Sequence, residues 1–207
     1  MTMHVPRGRR RFLKLSFGSL VSGGSVLLTE QKQAGAQLQE GEKLWKTESI
    51  EEFKAKLQWL SQQEDKTYLV VDLATNTVKG FQGPNLLKVN VGEGKTREAL
   101  FLCDQGDEYN PTISGLFRPD TSHQRFYMSG RKKVANNQWS TYNRIEANFV
   151  IFFYQGYAFH TLTKNYTAVG ARNSAGCVRL SFADAQLLFR LHRQNPFTWV
   201  LVGRSRL

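Results

Sequence analysis

The spacing of apolar residues changes near Thr67 from a helical period to a strand period. Residues 37–46 are polar and read as a linker. After Ser49, the residues Ile50, Phe53, Leu57 and Leu60 recur every three or four positions, as on one face of a helix. Ser49 with Glu52 three positions later is a capping-box signature for its start. This helix is expected to pack rather than to carry function.

From Thr67 onward the pattern is that of strands. Tyr68 to Leu73, the turn-prone Thr75-Asn76 and Val78 to Phe81 read as a hairpin. Leu86 to Val91, Ala99 to Cys103, Gln124 to Met128, Asn148 to Tyr154 and Tyr157 to His160 are further strand candidates. Between them, residues 104–123 and 129–147 are polar, carry Gly, Asn and (in the first) Pro, and are expected as long loops, which in a compact domain are more often functional than idle. Ser181 and Asp184 open a second helix through Arg193, Asn195-Pro196 ends it, and Phe197 to Val202 reads as a last strand. The expected fold is mainly β: a mostly antiparallel, sandwich-like sheet with one or two peripheral helices.

The N-terminus changes the picture of charge and location. Arg9-Arg10-Arg11-Phe12-Leu13-Lys14 resembles a twin-arginine export motif, with Gly8 where Ser or Thr is usual. A mildly apolar stretch from Leu15 to Leu28 follows, then Ala34-Gly35-Ala36, a small-residue cleavage site. Fourteen such residues are too few to cross a hydrocarbon core, which takes about 20. The expected division is therefore a cleavable signal over 1–36, a linker and N-terminal helix over 37–65, and one folded domain over 66–207, delivered to the periplasm or cell envelope. Membrane contact is expected only through the uncleaved signal. The chain carries a net charge of +11, of which residues 1–36 supply +5 from six Lys/Arg and one Glu. What remains suits an anionic envelope polymer, and no basic stripe interleaved with aromatics argues for nucleic acid.

Two cysteines exclude a disulfide-stapled scaffold, and Cys103 is expected as a small buried hydrophobe. No Cys/His spacing makes a zinc site and no phosphate-binding loop occurs, so no metal or cofactor is expected. His123 is expected exposed in a loop, and His192 near a helix C-terminus, where a cation is mildly stabilising. The chemistry concentrates in Ser174-Ala175-Gly176-Cys177-Val178-Arg179-Leu180, with His160 seventeen residues before the cysteine. A free thiol is only a few per cent ionised near neutrality, so a nucleophilic cysteine needs a base beside it. Ala175 and Gly176 are small enough to let backbone N–H groups reach a developing oxyanion.

The order His160, then Ser-x-Gly-Cys-Val-Arg, then Asp184-Ala185 on the following helix resembles the L,D-transpeptidase catalytic domain. Gly170, the stretch Asn110-Pro111-Thr112-Ile113-Ser114-Gly115-Leu116-Phe117 and the Val71-Asp72-Leu73 strand add to the resemblance, which covers roughly residues 66–203. Thr161 stands where the family often has Gly or Ser, and Ala175 where it often has His, Lys or Arg. The resemblance implies that Cys177 is the nucleophile and His160 its base. Thr161 orients His160 through its carbonyl, and the N–H groups of Gly176 and Cys177 form an oxyanion hole. Ser174 holds the turn, and Arg179 braces the loop or meets a substrate carboxylate. The implied reaction is a thioester on peptidoglycan tetrapeptide stems that expels D-Ala and gives 3→3 cross-links. Carboxypeptidase or anchoring variants of the same chemistry, and a non-catalytic wall-binding protein of this fold, are the alternatives.

Overall fold

The computed structural model describes residues 49–206, so the expectations for the export signal and linker lie outside the described residues. Helix α1 (Ile50–Ser61) begins as its capping box requires: the Glu52 amide donates to Ser49 Oγ at 3.1 Å and the Ser49 amide to Glu52 Oε2 at 3.2 Å. Thirteen strands follow among the described residues. They are β1 (Thr67–Asp72), β2 (Thr77–Gln82), β3 (Asn85–Leu86), β4 (Lys88–Gly92), β5 (Lys95–Glu98), β6 (Leu100–Gly106) and β7 (Gly115–Phe117). Then come β8 (Ser122–Lys133), β9 (Trp139–Tyr154), β10 (Tyr157–Thr161), β11 (Arg172–Ser174), β12 (Val178–Leu180), helix α2 (Phe182–Gln194) and β13 (Trp199–Gly203).

The main sheet runs β7-β13-β1-β2-β6-β12-β10-β9-β8, with β3 added to β2 and β11 to β6; β4 and β5 pair separately. Antiparallel pairs predominate, as expected, but β1–β13, β10–β12 and β11–β6 are parallel. The sheet curls on itself. Phe117, on edge strand β7, meets Phe153 and Tyr154 of β9 with ring centroids 5.6 and 5.1 Å apart. The curl encloses one main core, to which Leu69, Val71, Phe101, Cys103, Phe153, Phe159, Val178 and Val202 belong. Helix α2 closes it with Ala185, Leu187 and Leu188.

Strand β1 is buried at every position because both its faces are covered. Leu69 and Val71 point into the main core, while Tyr68 and Val70 join Leu116, Leu201 and the α1 residues Phe53 and Leu60 in a second cluster. The first helix thus packs on the outer face of the sheet, where Trp59 also meets Trp199 edge-on at 5.7 Å.

Three expectations need correction. Residues 129–147 are not a loop: β8 and β9 pair from Ser122↔Ile151 out to Lys133↔Trp139, one long ribbon with its tip at residues 134–138. The ribbon projects beyond the core, so much of both faces is exposed and the apolar alternation that marks a half-buried strand is missing. Residues 104–123 are likewise interrupted by the end of β6, by β7 and by the start of β8, which carries His123. The third concerns His192. It is buried, its Nδ1 accepts the Phe197 amide at 3.2 Å, and burial lowers its pKa, so it serves as a neutral acceptor rather than a cation at the helix end.

Phe53 is 2% exposed within the second cluster. Phe53→Ala is expected to cost about 3–5 kcal/mol in urea unfolding. A loss below about 1 kcal/mol would show that α1 is peripheral to the folded unit.

Candidate active site

Strands β10 and β12 lie side by side in parallel, with Phe159 opposite Val178 and His160 opposite Arg179. Phe159 and Val178 point into the main core. Strand alternation then turns His160, Arg179 and the preceding Cys177 to the other face, beneath the β8–β9 ribbon. There Cys177 packs beside Ala147, Val150 and Ala158.

The neighbouring strand is irregular where it passes the histidine. Between Phe159↔Ile151 and Thr161↔Asn148, strand β9 places two residues, Phe149 and Val150, opposite the single His160. This is a β-bulge, a device that re-aims side chains. Phe149 takes a left-handed backbone (φ +56°), rare for so bulky a residue, and its ring is held by Phe182 and Phe189 of α2 at 5.2 and 5.8 Å.

The turn before Cys177 is organised by Ser174. Its Oγ donates to the Cys177 carbonyl at 2.6 Å and accepts the Gly176 amide at 3.0 Å. Gly176 itself has φ +108°, and a Cβ there would press on the Tyr157 ring at 2.8 Å, so no larger residue fits. The Gly176 N–H, expected at an oxyanion, is thus already given to Ser174 Oγ.

His160 is 2% exposed. Its Nδ1 stands 3.2 Å from the Thr161 carbonyl, which can only accept, so the proton resides on Nδ1 and Nε2 carries the free lone pair. Burial, with a smaller push from the Arg179 charge, lowers its pKa from 6.5 to about 4 against the raising effect of the Thr161 carbonyl. The imidazole is therefore neutral near pH 7. Cys177 is half-buried, and burial raises its thiol pKa while the Ala158 amide and the Arg179 charge lower it. Cys103 is completely buried and pushed up to about 12 by burial first and by Asp104 and Asp72 next, so it is an inert thiol. Both cysteines are free.

Asp104, on β6, is a residue the sequence reading missed. It is 1% exposed and pairs with Arg179 through the backbone. Its Oδ1 accepts the amides of Val169 and Ala171 at 3.0 and 2.7 Å, and its Oδ2 accepts Tyr166 Oη at 2.5 Å and Asn173 Nδ2 at 3.4 Å. Burial would raise its pKa, but these four donors outweigh it and hold the carboxylate charged. The segment between His160 and Cys177 is gathered on this one side chain. An acid directly after the apolar run Phe101 to Cys103 was the available signal.

Two hollows meet at Cys177. One, of about 90 Å³, is lined by Cys177, His160, Arg179, Ala175, Tyr142 and Lys132, among others. The other is an open groove of about 580 Å³ under the ribbon, with Tyr109, Trp139, Tyr142 and Tyr157 in its walls. A larger hollow of about 1080 Å³ beside Glu146 and Lys164 touches neither Cys177 nor His160. Thr161 Oγ1 and Arg179 Nε are buried without a hydrogen-bond partner, and Arg179 lines the 90 Å³ cavity. His123 is exposed against the Phe126 and Phe152 rings, outside both hollows.

Comparison with solved structures finds the LD transpeptidase LdtMt1 in complex with imipenem, with TM-score 0.51 and 19% identity over 67% of this chain and 59% of that one. An L,D-transpeptidase from Mycobacterium smegmatis matches with TM-score 0.49 and 16% identity over 67% and 58%. This chain thus spans less than two thirds of either, and the first likeness shows that it has the L,D-transpeptidase fold. No curated protein sequence matches significantly. The family model for the L,D-transpeptidase catalytic domain matches residues 66–202, well over half of the chain, and the chain belongs to that family.

Proposed function

We propose that this protein is a cysteine-dependent L,D-transpeptidase that forms 3→3 cross-links between peptidoglycan stems. The observation that carries the reading is the sharing of one small cavity by Cys177 and His160, with Nδ1 committed to the Thr161 carbonyl so that Nε2 is free. In the proposed first step His160 Nε2 takes the thiol proton as Cys177 Sγ attacks the carbonyl carbon at the L-centre of the third stem residue. Such base assistance contributes about 10²–10⁴ in rate. The Cys177 N–H stabilises the oxyanion, worth about 10²–10³. Collapse breaks the C–N bond to the terminal D-Ala, whose nitrogen takes the proton from His160, and leaves a thioester. The amine of a second stem then attacks, a new C–N bond forms, the C–S bond breaks and the sulfur regains a proton. Water in place of the amine gives a tripeptide instead.

Ser174 and Gly176 hold the turn in this scheme, Thr161 orients the base, and Arg179 braces the site. Residues 1–36 serve as a cleavable, twin-arginine-type export signal, 37–65 as linker and N-terminal helix, and 66–207 as the catalytic domain. The enzyme then works in the periplasm or cell envelope, where its stems are. The buried, high-pKa Cys103 supports assigning the chemistry to Cys177 alone.

Cys177→Ala is expected to fold normally and to lose D-Ala release from tetrapeptide stems by at least about 10³-fold. Mass spectrometry of muropeptides reads this and separates dimers, tripeptides and unreacted stems; undiminished release would sink the assignment. A carbapenem is expected to add one covalent equivalent at Cys177 and none at Cys103, as intact mass and peptide mapping would show.

The pH profile follows from the neutral base. His160 must be unprotonated to act and its pKa is lowered to about 4, so kcat/KM should hold as pH falls through 6.5 and decline only near 4. An acid limb centred near 6.5 instead would mean that the imidazole is exposed.

A further inference from the structure

Lys132 on β8 and Arg179 on β12 both line the 90 Å³ cavity that holds Cys177 and His160. No Asp or Glu lines that cavity or the groove beside it, where Arg131 and Lys133 add two more cations. Among the described residues neither Lys132 nor Arg179 has an ion-pair partner. Glu146, the acid of the ribbon, is paired with Arg125 at 3.3 Å. Asp104 lies across from Arg179, but its oxygens are taken by Tyr166, Val169, Ala171 and Asn173. Arg179 reaches the Asn173 carbonyl at 3.4 Å, while its Nε is buried with no partner.

A buried guanidinium nitrogen with no acceptor is costly, and a second cation in the same small cavity adds repulsion. An anion seated between the two side chains would offset that repulsion and supply an acceptor to the guanidinium. An arginine fork and a lysine point charge, set in a partly dry cavity, suit a carboxylate. The imidazole contributes no charge of its own, being neutral.

We infer that Lys132 and Arg179 form a carboxylate site that holds an acid group of the donor peptide beside Cys177. The inference rests on the proposed acyl transfer and adds to it the residue, Lys132, that would select a donor by the carboxylate next to its scissile bond. Two carboxylates of a stem meet that description, the α-carboxylate of the leaving terminal residue and a side-chain carboxylate of the third residue. Lys132 is the specificity-determining member contributed by the ribbon, and it was not visible as a site residue in the sequence because residues 129–147 read as loop.

The test is calorimetric binding to the Cys177→Ala protein of three tetrapeptides: the free acid, its C-terminal amide and its third-residue side-chain amide. At least one amide is expected to bind about tenfold more weakly than the free acid. In Cys177→Ala/Lys132→Met that penalty should shrink at least about threefold, Arg179 keeping the remainder, and with Lys132→Arg it should return in full. Loss for the terminal amide places the leaving residue in the cavity, and loss for the side-chain amide places the third residue there. Equal binding of all three peptides, or a penalty that Lys132→Met leaves intact, overturns the inference. Lys132 is exposed on the ribbon and Met keeps its aliphatic stem, so the fold is not at stake. Binding is measured without turnover, so absence of D-Ala release from the unmutated protein would overturn the proposed reaction while this preference is still read.

Discussion

Two parallel strands cannot be joined by a tight turn, and this constraint shapes the whole site. His160 stands on β10 and Arg179 opposite it on β12, running the same way. The chain must leave one strand end, travel back and re-enter beside its start, which takes a dozen residues or more. The sixteen residues between His160 and Cys177 are that return path. A path of this length has no helix to stiffen it here. Asp104 does so instead, a buried carboxylate on the next strand that gathers two amides, one phenol and one side-chain amide from residues 166–173. Ser174 then ties the last turn to the cysteine backbone.

The electrostatics follow from where this crossover lies. Its two ends are packed between the main core and the ribbon, so His160 loses most of its hydration and stays neutral, with a pKa of about 4. A neutral imidazole beside a thiol is not half of a preformed ion pair. Arg179 is the charged group of the cavity wall nearest in register, and it opposes protonation of His160 while favouring ionisation of Cys177. The first effect works against a thiolate–imidazolium pair and the second favours the thiolate, so the same guanidinium pulls the two groups in opposite senses.

The ribbon and the bulge complete the enclosure. Strands β8 and β9 extend past the sheet and roof the space over Cys177, with Met128, Tyr142 and Lys132 on the cavity side. The extra residue at Phe149 lets β9 pass His160 without flattening onto it, and the Phe182 and Phe189 rings hold that strained backbone in place. Helix α2 thus serves the site as well as the core.

By itself the sequence determined the local elements and the chemistry. Ser49 and Ser181 cap the two helices, strand β1 shows as an unbroken apolar run, and the Cys177 turn with its upstream histidine is legible as a string. Each of these is governed by residues within a few positions of one another. Tertiary structure alone decided the rest. That residues 129–147 pair as a ribbon depends on cross-strand hydrogen bonds, which leave no apolar period when both faces are solvated. That Asp104 and Lys132 belong to the site depends on a curled sheet bringing β6 and β8 to opposite sides of one crossover. That His160 is neutral, and that the Gly176 amide is already engaged, depend on burial and partners far apart in the chain or set by the exact turn. Short-range propensities carry no record of such contacts, because they arise only when the sheet closes.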